Sequence, residues 1–245
     1  MDALIIAFVS GKGGTGKSTT SVLVGGALAA LGKSVLLIEL DSGLRSVDII
    51  AGVSGQTVYD IEDVLSGRCE PNKAIVQSSA YNGLSVISAP YAGGVITTKN
   101  LRVLCNKMRP HFDYILIDTA AGLGAAYSAA TAVAHRVVLV LTADPVALRD
   151  GRLVTDELGA GETGTVRLIL NKVNPQQILN SGVLRDLDEA IDIVGARLLG
   201  VIPDSGAILK AGATGTPLPK NSVEKQVFDA IAHRIAGHDV PLVIR

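Results

Sequence analysis

Ser10 to Thr20 reads SGKGGTGKSTT and directly follows an apolar run, Ala3 to Val9. Within it Gly11, Gly16, Lys17 and Ser18 meet the spacing G-x-x-x-x-G-K-[ST], a pattern suited to phosphate chemistry. Glycine lets the backbone curl, so that the N–H groups along Gly11, Lys12, Gly13, Gly14, Thr15, Gly16, Lys17, Ser18 and Thr19 can face a phosphate. The following helix adds the positive end of its dipole. In this geometry Lys17 reaches the β- and γ-phosphates and the Ser18 hydroxyl ligates Mg²⁺. Average residue frequencies produce such a pattern by chance in roughly one chain of this size in a hundred. Placement after a strand and at a helix start lowers that further, so a nucleotide site is expected.

Acids follow two further apolar runs. Val35 to Asp41 ends in Glu39-Leu40-Asp41, and Tyr114 to Asp118 ends in Asp118 before Thr119-Ala120-Ala121-Gly122. An acid at a strand end can hold Mg²⁺ directly or through water, and another can orient an attacking water. Alone, such acids are as often ordinary solvated strand ends; beside a phosphate loop they are candidates for Ser18, Asp41 and Asp118 acting around one ion. At the other end of the chain, Asn171-Lys172 follows Val166 to Leu170, and Ile202-Pro203-Asp204 follows Leu198 to Val201. An asparagine amide both donates to and accepts from a purine edge, and a proline ring offers a flat apolar platform. Asn174 stands where a guanine-reading N-K-x-D would need its aspartate, so ATP is the expected nucleotide.

These residues need a scaffold that brings strand ends together. Candidate strands are Ala3 to Val9, Val35 to Leu40, Leu84 to Ser88, Tyr114 to Asp118, Val137 to Thr142, Val166 to Leu170 and Leu198 to Val201, alternating with segments of helical period. That alternation implies βαβ units and an α/β fold with a mainly parallel central sheet and helices on both faces. The first helix is expected to begin within Gly16 to Ser18 and to run to about Leu31, ended by Gly32 in a left-handed conformation. Another is expected over Ser222 to Ala236, its apolar Val223, Val227, Ile231 and Ile235 facing the core. No repeat or linker divides the 245 residues, so one domain over 1–245 is expected.

Composition excludes several classes. Hydrophobic residues make up 48% and charged ones 18%, and the net charge of -1 gives no global pull toward nucleic acid or an anionic membrane. Cys69 and Cys105 lack partner histidines or C-x-x-C spacing, which disfavours a disulfide or a zinc site within one chain and leaves reduced thiols as the default. The first strand begins with no basic n-region ahead of it, which disfavours secretion, and no apolar stretch reaches membrane-spanning length.

A second lysine, Lys12, stands inside the loop although Lys17 already serves the phosphates. Lys12-Gly13-Gly14-Thr15-Gly16-Lys17-Ser18 is similar to the KGGxGK[ST] signature of the MinD/ParA family of deviant Walker A P-loop ATPases. Asp41-Ser42-Gly43-Leu44-Arg45-Ser46-Val47-Asp48 resembles the switch I pattern D-x-G-L-R-N-L-D of its MinD branch, and not the D-P-Q continuation of the ParA partition ATPases. Asp118 and Gly122 resemble its D-x-P-A-G switch II. The likeness continues through Val58-Tyr59-Asp60, Leu148-Arg149-Asp150 and Ala211-Gly212.

The resemblance implies an ATP-dependent homodimer in which Lys12 crosses to the partner's nucleotide, Lys17 and Ser18 hold phosphate and metal, Asp41 positions water and Asp118 serves Mg²⁺ through water. Asn171, Pro203 and Asp204, the last two within the loop Gly200 to Asp204, would contact adenine. It further implies a cytoplasmic regulator of division-site placement with slow, partner-stimulated hydrolysis and a protein effector or activator. Two departures bear on hydrolysis. Glu39 replaces the usual aspartate and Ala120 the usual proline, which removes the ring that would fix the backbone. The tail, Gly237 to Arg245, carries one basic residue, an aspartate and a mid-segment proline, which do not make the amphipathic membrane helix common in the MinD branch, so the protein is expected either to act in the cytosol or to reach membrane through a partner. Three other readings share the motif: a DNA-partition ATPase, against which the scattered basic residues argue, a flagellar-placement relative, and a metal-insertion ATPase.

Overall fold

The computed structural model describes residues 2–43, 45–90, 93, 96–159, 165–174 and 187–242; Leu44 of the acidic segment and the last three residues of the tail lie outside them. The apolar runs fold into β1 (Leu4–Val9), β2 (Val35–Glu39), β3 (Val76–Gln77), β4 (Leu84–Ile87), β5 (Tyr114–Asp118), β6 (Arg136–Thr142), β7 (Val166–Val173) and β8 (Arg197–Pro203). They share one sheet in the order β3-β4-β2-β5-β1-β6-β7-β8. The pairs from β4 to β8 are parallel and only β3 runs against its neighbour. The expected α/β architecture is therefore present, with one short antiparallel edge strand that its two residues are too few to announce.

The described helices are α1 (Lys17–Ala30), α2 (Ser46–Ile50), α3 (Ile61–Leu65), α4 (Pro71–Ala74), α5 (Thr98–Met108), α6 (Ala125–Val133), α7 (Pro145–Glu157), α8 (Leu187–Val194), α9 (Gly206–Thr214) and α10 (Val223–Ile235). Alternation along β1 shows why both faces of the sheet are dry. Ile5, Ala7 and Val9 join a cluster with Leu101 of α5, Tyr127 of α6 and Leu148 of α7. Ile6 and Phe8 join another with Leu28 of α1 and Phe228 of α10. Each fully buried large side chain contributes about 1.5–3 kcal/mol. The α1 helix ends as read from the sequence, with Gly32 at φ 78°, a conformation that glycine adopts without a Cβ penalty.

The carboxyl ends of several strands differ from the sequence reading. β7 continues past Leu170 to Val173 because β8 keeps pairing with it across a register shift, Val173 lying opposite Pro203. β2 and β4 each stop one residue early, at Glu39 and Ile87, which frees Leu40 and Ser88 for the loops. Among the described residues, no helix is long and apolar enough to cross a membrane. After α10 the chain lies against β8: Arg234 donates to the carbonyls of Leu199 and Val240 at 2.7 and 2.9 Å, and also to that of Pro241.

Candidate nucleotide site

Parallel pairing aims the carboxyl ends of β1, β2, β5, β6, β7 and β8 at one edge of the sheet, where α/β folds build ligand sites. The loop 10–16 leaves β1 there and enters α1 through Gly16, whose φ of 85° is left-handed. A Cβ at Gly16 would also stand 2.3 Å from Asn171 Nδ2, so both the backbone angle and the space call for glycine at this position. Neighbouring elements pin the loop. The Asn171 amide donates to Thr15 O at 2.7 Å, Lys172 Nζ to Gly14 O at 2.8 Å, and Gly122 N to Ser10 O at 2.9 Å.

Within this frame Lys17 Nζ lies 2.9 Å from Asp118 Oδ1, with side-chain exposures of 6% and 0%. Asp118 Oδ2, Ser10 Oγ and Thr15 Oγ1 are buried without a hydrogen-bond partner. Orphaned polar atoms around a basic loop are a standing cost unless a polar ligand satisfies them, so the residues present fit a phosphate with its metal ion. Asp41 follows β2 at the same edge. Burial raises its carboxyl above the usual range, Lys17 pulls it back and Asp118 raises it again, so Lys17, Asp41 and Asp118 already form one electrostatic group. Glu39, opposite Asp118 in the register, is fully buried. Burial pushes it up to about 7 against the opposing N–H groups of Val47 and Ala89.

Beyond Gly16 opens a cleft of about 540 Å³ lined by Thr19, Asn171, Lys172, Pro203 and Asp204, and closed by α9. Its position, size and mixed lining suit a purine base. The sequence candidates thus fall into two groups, one around Lys17 and Asp118 and the other lining the cleft beyond Gly16.

Lys12 belongs to neither. Its Nζ sits 3.0 Å from both oxygens of Asp144, the N-cap of α7, which also accepts from Ala147 N at 3.0 Å and Thr142 Oγ1 at 2.5 Å. Burial opposes ionisation of Asp144, but these donors together hold its carboxyl below the ordinary range. Sequence reasoning did not select Asp144. Asp144-Pro145 after an apolar run is a helix-start signal, but nothing local ties it to a lysine 132 residues away. With side-chain exposures of 38% and 40%, the ion pair is worth about 0.2–1 kcal/mol, too little to hold Lys12 back from a stronger anion. Asp144→Asn keeps a good helix cap and releases Lys12. Any Lys12-dependent association of two copies measured by sedimentation should tighten by no more than about thirtyfold, because each copy releases one such pair; a change of a thousandfold would mean that Asp144 does more than hold this lysine.

Comparison with known proteins places the chain among nucleotide-binding proteins. Residues 6–218 match the CobQ/CobB/MinD/ParA nucleotide binding domain. The septum site-determining protein MinD of Synechocystis is 34% identical over 244 residues, covering 98% of this chain and 91% of that protein. The MinC:MinD cell division protein complex of Aquifex aeolicus contains a chain that superposes with a TM-score of 0.89 at 31% identity, covering 99% of both chains. The MinD of Pyrococcus horikoshii, complexed with Mg-ADP, superposes with a TM-score of 0.82 at 25% identity, covering 95% of this chain and 96% of that one.

Proposed function

The chain belongs to the MinD/ParA family of nucleotide-binding ATPases, within its MinD branch, and we propose that it is an ATP-gated dimerisation switch that regulates placement of the division site. The observation that carries the switch is the disposition of its two loop lysines. Lys17 is buried on the phosphate side with Asp118, whereas Lys12 is half-exposed and held only by a weak surface pair, positioned to leave. A single active site has no use for the second lysine. An interface between two copies has one, because each copy then supplies positive charge to the other's phosphates, where it counts most as negative charge develops.

In this reading residues 1–245 act as one domain. Gly11, Gly13, Gly14, Thr15, Gly16 and Thr19 present backbone to the phosphates, Lys17 exchanges its contact with Asp118 for phosphate oxygens, and Asn171, Pro203 and Asp204 frame the adenine. Ser18 would hold Mg²⁺, with Asp41 and Asp118 acting through its water; the ion supplies charge neutralisation at the phosphates. Asp41 orients the water that attacks the terminal phosphorus as the bond to ADP oxygen breaks. Its raised carboxyl pKa suits it to hold that proton. Turnover is slow and returns the protein to monomer. An effector or activator protein binds the dimer, a reading supported by the occurrence of the Aquifex chain in a MinC:MinD cell division protein complex. The protein works in the cytoplasm and reaches the membrane face through that partner.

The deciding measurement is molar mass by light scattering for Asp41→Ala, in which loss of water positioning should trap the ATP state. A monomer with ADP that becomes a dimer with ATP is the expected outcome. An unchanged mass in both nucleotides would leave a nucleotide-binding protein with no switch.

A further inference from the structure

Glu39 stands at the end of β2 where the resemblance leads one to expect an aspartate, and its extra methylene takes the carboxylate somewhere definite. The side chain is fully buried. Oε1 accepts from Val47 N at 3.1 Å and Oε2 from Ala89 N at 3.3 Å. Val47 is the second residue of α2, and that helix has no cap from its own N-cap residue, Arg45, whose guanidinium carries no acceptor and whose backbone is left-handed at φ 46°. An orphan donor at the helix start is thus satisfied from eight residues back along the chain. Ala89 follows β4, so one carboxylate joins the end of β2, the start of α2 and the loop after β4.

A second buried bridge fixes the same helix. Asp48 accepts from Arg45 Nε at 2.8 Å and from Ser88 Oγ, and the Ser88 hydroxyl also meets Thr57 Oγ1 at 3.0 Å. Asp41 lies on the short span between the two anchored ends, Glu39 and Val47. With both Glu39 oxygens engaged by backbone N–H groups, that carboxylate is turned toward the polypeptide. An aspartate, one methylene shorter, cannot span both donors.

We propose that Glu39 is a positioning residue: it clamps the start of α2 to the end of β2 before nucleotide arrives, so that Asp41 is preset at the site, and it takes no part in holding Mg²⁺. The proposal rests on the reading of Asp41 as the residue that orients water. A preset Asp41 lowers the ordering entropy that the attack geometry must overcome, because the residue two positions before it is already anchored to α2 and to the loop after β4, so loss of the anchor falls on turnover and not on nucleotide binding.

The test is amide hydrogen exchange on the full chain without nucleotide or metal, for wild type, Glu39→Gln and Glu39→Asp. Glu39→Gln keeps one acceptor and turns an amide N–H group toward the other donor, so at least one of Val47 and Ala89 should exchange about tenfold faster, the effect of one lost hydrogen bond. Exchange in β6, β7 and β8 should stay unchanged. Glu39→Asp, which can keep only one of the two bonds, should fall between, and it decides the matter if Glu39→Gln does not fold. With ATP and Mg²⁺, kcat should fall in both variants while KM and the Mg²⁺ concentration for half-maximal ADP binding stay within about twofold. Unaltered exchange at both Val47 and Ala89 would overturn the clamp, as would a tenfold higher Mg²⁺ requirement. Exchange in the absence of nucleotide reads the clamp whether or not ATP drives dimerisation, so failure of the switch and failure of the clamp are separate results.

Discussion

Lys17→Met is expected to weaken nucleotide binding by about 10- to 100-fold, the worth of a charge-assisted hydrogen bond to phosphate, and to destabilise the fold as well. The second effect comes from Asp118. Its carboxylate is fully buried, one oxygen is paired with Lys17 at 2.9 Å and the other has no partner. Removing the lysine leaves a buried charge with nothing to offset it, which costs about 3–5 kcal/mol, against a typical domain stability of about 5–15 kcal/mol. The two effects separate in a double variant. Lys17→Met with Asp118→Asn removes the charge along with its partner, so urea unfolding should recover most of the lost stability while nucleotide affinity, measured by calorimetry, stays weak. A single variant as stable as the wild type would show that Asp118 finds another partner at the folded site once the lysine is gone. Recovery of affinity in the double variant would show that Lys17 serves the fold and not the phosphate.

The extent to which such residues could be read in advance depends on how local their physics is. The phosphate loop was legible because its function lies in backbone geometry: Gly16 at φ 85° is required by the turn itself, whatever surrounds it. The strands were legible because burial on both faces demands unbroken apolar runs, as in Leu36, Leu37 and Ile38. The two-residue β3 was not, and neither were α2, α3 and α4. Four- and five-residue helices carry too few turns for a period to show, and α3 depends on a capping box between Asp60 and Asp63 that only the structure tells apart from any acidic pair. Long-range partners were also out of reach. Nothing in the run Leu141-Thr142-Ala143-Asp144 points to Lys12, and the departure at Glu39 was visible as a residue change, whereas its consequence needed the positions of Val47 and Ala89.

The same distinction between local and distant partners frames the largest effect expected at the dimer. Lys12→Ala should leave nucleotide affinity of the monomer within a few-fold of wild type, because Lys17, Asn171 and the loop backbone remain, and none of them touches Lys12 in the described contacts. Stability should change little too, since the lost pair with Asp144 is half-exposed and worth less than about 1 kcal/mol. Hydrolysis is another matter. Positive charge delivered across an interface to a phosphoryl group in transfer is worth about 10³–10⁵ in kcat, and the two lysines of a symmetric pair would be lost together. The expected outcome is therefore a protein that binds ATP, stays monomeric by sedimentation and turns over at a background rate. A Lys12→Ala protein that still dimerises with ATP but hydrolyses slowly would narrow the lysine's role to charge stabilisation within an interface held by other contacts. One that hydrolyses ATP at the wild-type rate would place Lys12 on the surface as an ordinary solvated lysine, and the pair with Asp144 would then be its whole part in the molecule.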